Sequence, residues 1–241
     1  MPQSRLHRSL HHQVVNEIGM WIIRGTINPG ELLPNEDTLC DQLGVSRTVV
    51  REAVRVLVSK GLVQPRPRVG TIVCPRRTWN LLDEDVLRWE YETGPSPAFL
   101  RNLVEVRQTI EPAAAQLAAL RATTEERAAI QAAYTALAET VDDPTAYIQT
   151  DMDFHAAIFS ACHNELLEQL ARTISMALRA SRRTTVQLPH GARETLPMHE
   201  DVMQAILRHD PERAFEAMSI IIARAAADIE RVLGALAQPD S

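Results

Sequence analysis

Residues 44–63 read Gly-Val-Ser-Arg-Thr-Val-Val-Arg-Glu-Ala-Val-Arg-Val-Leu-Val-Ser-Lys-Gly-Leu-Val, and this stretch constrains the chain more than any other. Val49, Val50, Ala53, Val54, Leu57 and Val58 recur on the helical period, which predicts a helix with one core-facing side. Ser46 stands where an N-cap hydroxyl would take up a first-turn amide, and Gly61 where a left-handed residue ends the helix. Arg47, Thr48, Arg51 and Arg55 remain on or beside the other side. Cationic and hydrogen-bonding groups therefore crowd the N-terminal end, where free amides and the helix dipole already favour phosphate. Upstream, residues 34–43 predict a shorter helix capped by Asn35, and Gly44 turns between the two. The expectation is a helix-turn-helix whose second helix enters a DNA groove, with Asn35, Ser46, Arg47, Thr48 and Arg51 toward the duplex. For the hairpin alone, two helices with a solvated arginine face remain the other reading.

The flanks favour DNA. Residues 1–9 are polar and expected to be disordered; residues 10–24 predict a helix with Val14, Ile18, Trp21 and Ile22 buried. Asn28-Pro29-Gly30 is a turn. After Gly61, residues 62–64 and 71–73 read as two short strands around a tip at 65–70. Arg66 and Arg68 on that tip suit a wing that touches the DNA backbone or minor groove; a surface loop with two solvated arginines is the other reading.

At 241 residues the chain has room for two modest domains. Its net charge of −6 is uneven: residues 1–75 carry +3 and the remainder −9, so only the head is suited to phosphate. The three cysteines are widely spaced with no CxxC pair, which argues against a disulfide framework or a zinc finger and for a reducing cytoplasm. No apolar run approaches a membrane span, and no hydrophobic segment follows the basic N-terminus as a secretory signal would require. Five of the 14 prolines fall between Pro65 and Pro97 and mark a boundary. The division expected is a winged head at 1–75, a linker with a short docked helix at 76–96, and an all-helical domain at 97–237. Helices are expected near 97–121, 124–141, 145–162, 164–185, 195–208 and 211–236, broken at Pro144, Asn164, Pro189-His190-Gly191 and Pro211. The fold class is thus mainly α, with a small β wing.

The second domain places ionisable residues where apolar ones belong. Arg107 and Glu111 interrupt the apolar side of its first helix, Asp151 and His155 that of its third, and His199 precedes that of its fifth. Burying such groups without partners costs several kcal/mol, on the order of a protein's whole margin of stability. Two explanations stay open. One is a satisfied core network, pairing Arg107 with Glu111, Asp151 with His155, and His199 with backbone. The other is a cavity in which Asp151, His155 and His199 hold a metal ion and Arg107 an anion.

Several motifs carry a resemblance. Leu33-Pro34-x-Glu36, Leu43-Gly44-Val45-Ser46-Arg47, Val50-Arg51-Glu52-Ala53, Gly61-Leu62-Val63 and Gly70-Thr71-x-Val73 resemble the winged helix-turn-helix of GntR bacterial transcription regulators. Asp37 stands where some members carry a DNA-contacting basic residue. Glu105-Val106-Arg107-x-x-Ile110-Glu111-Pro112 and Asp151-x-x-Phe154-His155-x-x-Ile158, with Asn164 and His199-Glu200, resemble the helical effector-binding (FCD) domain of the FadR subgroup. The resemblance implies a dimeric regulator that binds operator DNA and a small carboxylate. It also implies a divalent cation, zinc or nickel, on one Asp and three His; Asp151, His155 and His199 match the first three, and Ile221 falls where the fourth His is expected. Arg224 and Asp228, three and seven residues on and roughly on the same side, could contribute polar contacts instead, and Arg224 and Thr195 are candidates for further effector contacts beside Arg107, Asp151, His155 and His199. Residues 75–89 are similar to the linker of repressors of galactonate-type sugar-acid catabolism, which implies a sugar acid such as galactonate as effector. A metal-dependent enzyme fused to a DNA-binding head, and an architectural DNA-binding protein, are the competing readings.

Overall fold

The structure, a computed structural model, describes residues 3–185 and 191–236 and is mainly α-helical. Two compact units divide it, one ending at Gly94 and the other beginning at Pro95.

In the first unit, α1 (Gln3–Ile23), α2 (Glu36–Leu43) and α3 (Arg47–Ser59) precede a hairpin of β1 (Val63–Arg66) and β2 (Gly70–Val73), a short 3₁₀ turn (Arg76–Thr78) and α4 (Glu84–Thr93). Helix α1 begins well before Leu10, so the expectation of disorder over residues 1–9 does not hold from Gln3 onward; Met1 and Pro2 lie outside the described residues. Val14, Ile18 and Ile22 of α1 pack with Leu39 of α2 and Val49, Val50, Ala53 and Leu57 of α3. Trp21 is only partly buried, because its indole nitrogen turns outward to donate to Glu17 at 3.2 Å. Val58 is exposed as well; one residue round from Leu57, it points off the packed side.

Asn35 caps α2 through Thr38, and Gly44 follows in the left-handed region at φ 64°, which turns the chain sharply into α3. Gly61 is more tightly constrained. It has φ 73°, and an added Cβ would lie 2.1 Å from the carbonyl oxygen of Thr78. The strands run antiparallel from Val63↔Val73 to Arg66↔Gly70, longer than the sequence suggests, so the tip contracts to residues 67–69. Residues 30–33 line the outer edge of β2, with Leu33 donating to Thr71 and Val73 to Glu31.

The second unit contains α5 (Pro97–Arg121), α6 (Thr124–Glu139), α7 (Pro144–Ala161), α8 (Glu165–Thr185), α9 (Gly191–Leu207) and α10 (Pro211–Leu236). Their starts are written in the sequence. Ser96 accepts from Phe99 ahead of α5, Thr123 and Glu126 form a capping box on α6, and Asp143 caps α7 just before Pro144. Of the expected break at 189–191, Pro189 and His190 lie outside the described residues, and α9 already begins at Gly191. Helix α5 packs along α10, α6 along α7, and α9 against α10. Phe154, Ile158, Ile130, Leu137, Ile206 and Met218 are fully buried among them. No helix among the described residues is long and apolar enough to cross a membrane.

Candidate functional site

The N-terminal end of α3 is open. Ser46 occupies the N-cap position with extended backbone, yet its side chain makes no capping hydrogen bond, contrary to the expectation. The first-turn amides of α3 therefore lack a side-chain acceptor, and the hydroxyl is left to other partners. Arg47, Thr48 and Arg51 are exposed around this end. Each arginine leans on a carboxylate of α2: Arg47 on Asp37 at 2.7 Å, and Arg51 on both oxygens of Glu36 at 3.0 and 2.9 Å. Such exposed pairs contribute only about 0–1 kcal/mol and yield readily to a phosphate. Asn35 keeps its amide nitrogen after its oxygen has capped α2. Arg66 ends β1 and Arg68 sits in the exposed turn at φ 62°, so both lie at the hairpin tip.

Behind α3, Lys60 is buried and reaches Asp83 at 2.7 Å and Asp85 at 2.8 Å. Asp83 is also the N-cap of α4. Helix α4 is fastened further by Trp89, which is fully buried, donates to Asn16 at 2.6 Å and lies against Gly19 of α1.

In the second unit, Arg107, Tyr147, Asp151, His155, Arg182, Thr195, His199, Ile221 and Asp228 line one cavity of about 60 Å³. Its parts come from five helices, and helical spacing explains each contribution. Tyr147, Asp151 and His155 are four apart on α7; Ile221, Ala225 and Asp228 share one side of α10. Arg224 falls off that side. Its guanidinium binds Asp228 and Glu194 instead, so the structure does not bring it to the cavity. Thr195 is present and meets the Tyr147 hydroxyl at 3.0 Å.

Asp151, His155 and His199 are all buried, with one ligand atom each within 4.8 Å of the others. Their outer contacts orient the rings. His199 donates Nδ1–H to the Thr195 carbonyl at 2.8 Å, and His155 Nδ1 faces Glu111 Oε2 at 2.6 Å. Both Nε2 atoms then turn toward Asp151 Oδ1, at 3.0 Å from His199 and 3.8 Å from His155. Burial, reinforced by the neighbouring His155 and Arg182, pushes His199 down to about 3, so its ring is neutral near neutral pH. Its Nε2 lone pair consequently points at a carboxylate oxygen, a contact between two acceptors that a cation or a proton must bridge. Neither ring nitrogen of His155 makes a hydrogen bond of good geometry, nor does the Glu111 Oε2 that its Nδ1 faces, and all three atoms are buried. The three residues fit a metal ion, and the Glu111 and Thr195 contacts are those expected behind metal-binding imidazoles. Ile221, which lines the cavity, adds no ligand.

Two arginines supply the positive charge. Arg107 Nε donates to Glu111 at 2.6 Å. Burial alone would raise Glu111, but Arg107 foremost, then His155 and Arg182, hold it well below the usual carboxylate range. Arg182 Nε is paired with Asp151 Oδ2. Burial and then the like charge of Arg107 push Arg182 down to about 9, a mark of two cations sharing one dry space. The network and the cavity expected as alternatives therefore coexist, with one addition: Asp151 keeps His155 at 3.8 Å but lies closer to Arg182 and His199. Asp228, expected beside Arg224, does line the cavity, whereas Arg182 and Tyr147 were missing from the residues expected here. The signals existed: Ile174, Leu178 and Ser181 are buried at helical spacing ahead of Arg182, and Tyr147 precedes Asp151 by one turn. His155 and Arg182 also wall a larger groove of about 550 Å³ between α7 and α8.

Comparison with known proteins follows the same division. Residues 10–73 match the model of bacterial regulatory proteins, gntR family, and residues 102–224 that of the FCD domain. The chain is 35% identical to the galactonate operon transcriptional repressor of Escherichia coli (strain K12), over 88% of this chain and 93% of that one. It is 34% identical to the Uxu operon transcriptional regulator of the same organism, over 82% and 77%. Among solved structures, Streptococcus agalactiae GntR superposes with a TM-score of 0.51 at 24% identity, covering 90% of this chain and 99% of that one.

Proposed function

The chain belongs to the gntR family of bacterial regulatory proteins, with an FCD domain after its winged head, and from that premise we propose that it represses a sugar-acid catabolic operon in the cytoplasm. A small carboxylate of the aldonate type, galactonate among the candidates, releases it from an inverted-repeat operator. Family and relatives are transcriptional regulators, so the reading as a metal-dependent enzyme falls away. The observation that carries the proposal is the cavity containing Arg107, whose two terminal nitrogens have no hydrogen bond among the described residues. A guanidinium fork held by Glu111 suits a carboxylate in two parallel hydrogen bonds. The similarity to galactonate and Uxu operon regulators supports the ligand class.

On this reading the acid's carboxylate takes Arg107, and Thr195 and Tyr147 bond its hydroxyls. Asp151, His155 and His199 would hold a divalent ion, zinc or nickel, which supplies an additional anchor for the carboxylate when bound. A cavity of about 60 Å³ holds only about two water molecules, so a sugar acid must displace side chains to enter. Arg182 and His155 are the wall shared with the groove between α7 and α8, and on this reading their movement would join the two spaces. Binding that demands such a change can shift the populations of two protein states, which effector control requires. Operator gel shifts titrated with a panel of sugar acids test the proposal. One or more should release wild type, and Arg107→Ala should bind operator normally yet fail to respond. If Arg107→Ala responds at the wild-type concentration, the effector site lies elsewhere.

A further inference from the structure

We propose that Arg182 is a built-in cation that competes with a divalent metal ion for Asp151 and so sets how firmly this three-ligand site retains metal. The inference rests on reading the cavity as a ligand-binding centre, but its test uses no effector.

Asp151 divides its two oxygens. Oδ1 faces the Nε2 atoms of His199 and His155, and Oδ2 is paired with Arg182 Nε. A cation between Oδ1 and the two imidazoles would lie among three buried atoms already turned toward one another and give the buried His155 Nε2 a partner. That cation would also face the Arg182 guanidinium across a single carboxylate. Arg182 is only 7% exposed, so water screens the repulsion poorly. The carboxylate's charge is moreover already shared with the guanidinium, which makes it a weaker metal ligand. Helix α10 offers little compensation, because Ile221 lines the cavity without a donor atom and the Asp228 carboxylate is held by Arg224 and Arg231. Metal must therefore either displace Arg182 or bear its charge. If an incoming carboxylate draws Arg182 off Asp151, it strengthens the metal site, and by reciprocity metal strengthens carboxylate binding.

Zinc affinity of the 241-residue chain, measured by competition with a chromophoric chelator, tests this. R182Q and R182M remove the charge, and two neutral variants are used because either could leave Asp151 unpaired and fail to fold; circular dichroism identifies the one that folds. That variant should bind zinc roughly 10- to 100-fold more tightly than wild type, R182K should stay near wild type, and adding D151N should abolish the gain. Equal affinity in wild type and the neutral variant, a gain that survives D151N, or an equal gain in R182K would overturn the proposal. If neither neutral variant folds, the wild type decides: full retention of zinc through gel filtration refutes the idea, and loss of zinc supports it. Operator release is a separate measurement. A variant that gains zinc as expected in a chain that ignores every sugar acid refutes the effector reading and leaves this one standing.

Discussion

The two arginines at the start of α3 are each held by a carboxylate of α2, and this gives the DNA-binding proposal a test with two signs. Arg47→Ala should weaken operator binding by about 1–3 kcal/mol if the side chain reads a base, and should weaken nonspecific binding less. Asp37→Asn should do the opposite. It removes a negative charge from the face that meets phosphate and frees Arg47, at the cost of one exposed pair of little stability. Gel-shift titrations at fixed salt read both. An operator affinity unmoved by Arg47→Ala and by Arg51→Ala would remove α3 as the recognition helix. Ser46 belongs to the same scale. Because its hydroxyl does not cap α3, Ser46→Ala should leave the melting temperature nearly unchanged, whereas loss of a working cap costs about 1 kcal/mol.

Helix α4 shows how a segment becomes part of a neighbouring core. Its N-cap Asp83 and its Asp85 neutralise Lys60 at the end of α3, and Trp89 fills the notch that Gly19 leaves in α1. An added Cβ at Gly19 would lie 2.5 Å from the indole, so Gly19→Ala should destabilise the first unit by roughly 1–3 kcal/mol through overpacking, measured by urea denaturation. The Lys60 pair adds a pH dependence. Burial works against the ammonium, but Asp83 and Asp85 outweigh it and raise Lys60 above its ordinary 10.5. Its contribution is then complete below pH 10.5 and is lost as pH rises through the raised value. Asp85 is lowered below 3.8: burial is the largest influence and opposes this, but Lys60 and Arg88 prevail. Its contribution is complete above pH 3.8 and is lost as pH falls through the lowered value. Lys60→Met should flatten the alkaline limb of a stability–pH profile relative to wild type. This helix also marks where sequence reading stopped. Periodicity and caps located α2, α3 and all six helices of the second unit, because those signals are local. Burial of Lys60 could not be read, since Asp83 and Asp85 are distant in sequence. The cavity was legible through Arg107, Asp151, His155 and His199, polar residues on apolar stripes. Arg182 escaped because its partner Asp151 lies on another helix and α8 carries other arginines that are solvated.

At the scale of the molecule, the head is basic and the remainder acidic, +3 against −9, so operator affinity should fall with rising salt while specificity follows the α3 arginines. A single small head gives limited affinity, and the proposed remedy is a homodimer on half-sites about one helical turn apart. Sedimentation at micromolar concentration should find dimers; a monomer both alone and with operator would count against the arrangement. The burial of Trp89 has an optical consequence. All three tryptophans, Trp21, Trp79 and Trp89, belong to the first unit, and the second contains only tyrosines Tyr134 and Tyr147 as phenolic chromophores. Indole emission is therefore a private signal of the DNA-binding unit, and two of its rings are buried, Trp89 with its N–H bonded to Asn16 and Trp79 with its N–H bonded to the Cys74 carbonyl. Heated with its emission followed, the protein should report the melting of that unit alone, while the far-ultraviolet helical signal follows both. An effector that binds only the second unit should raise the temperature of the helical transition and leave the emission transition where it was, unless the two units melt together. The chain thus carries its own probe for telling whether a ligand's stabilisation reaches the DNA-binding half.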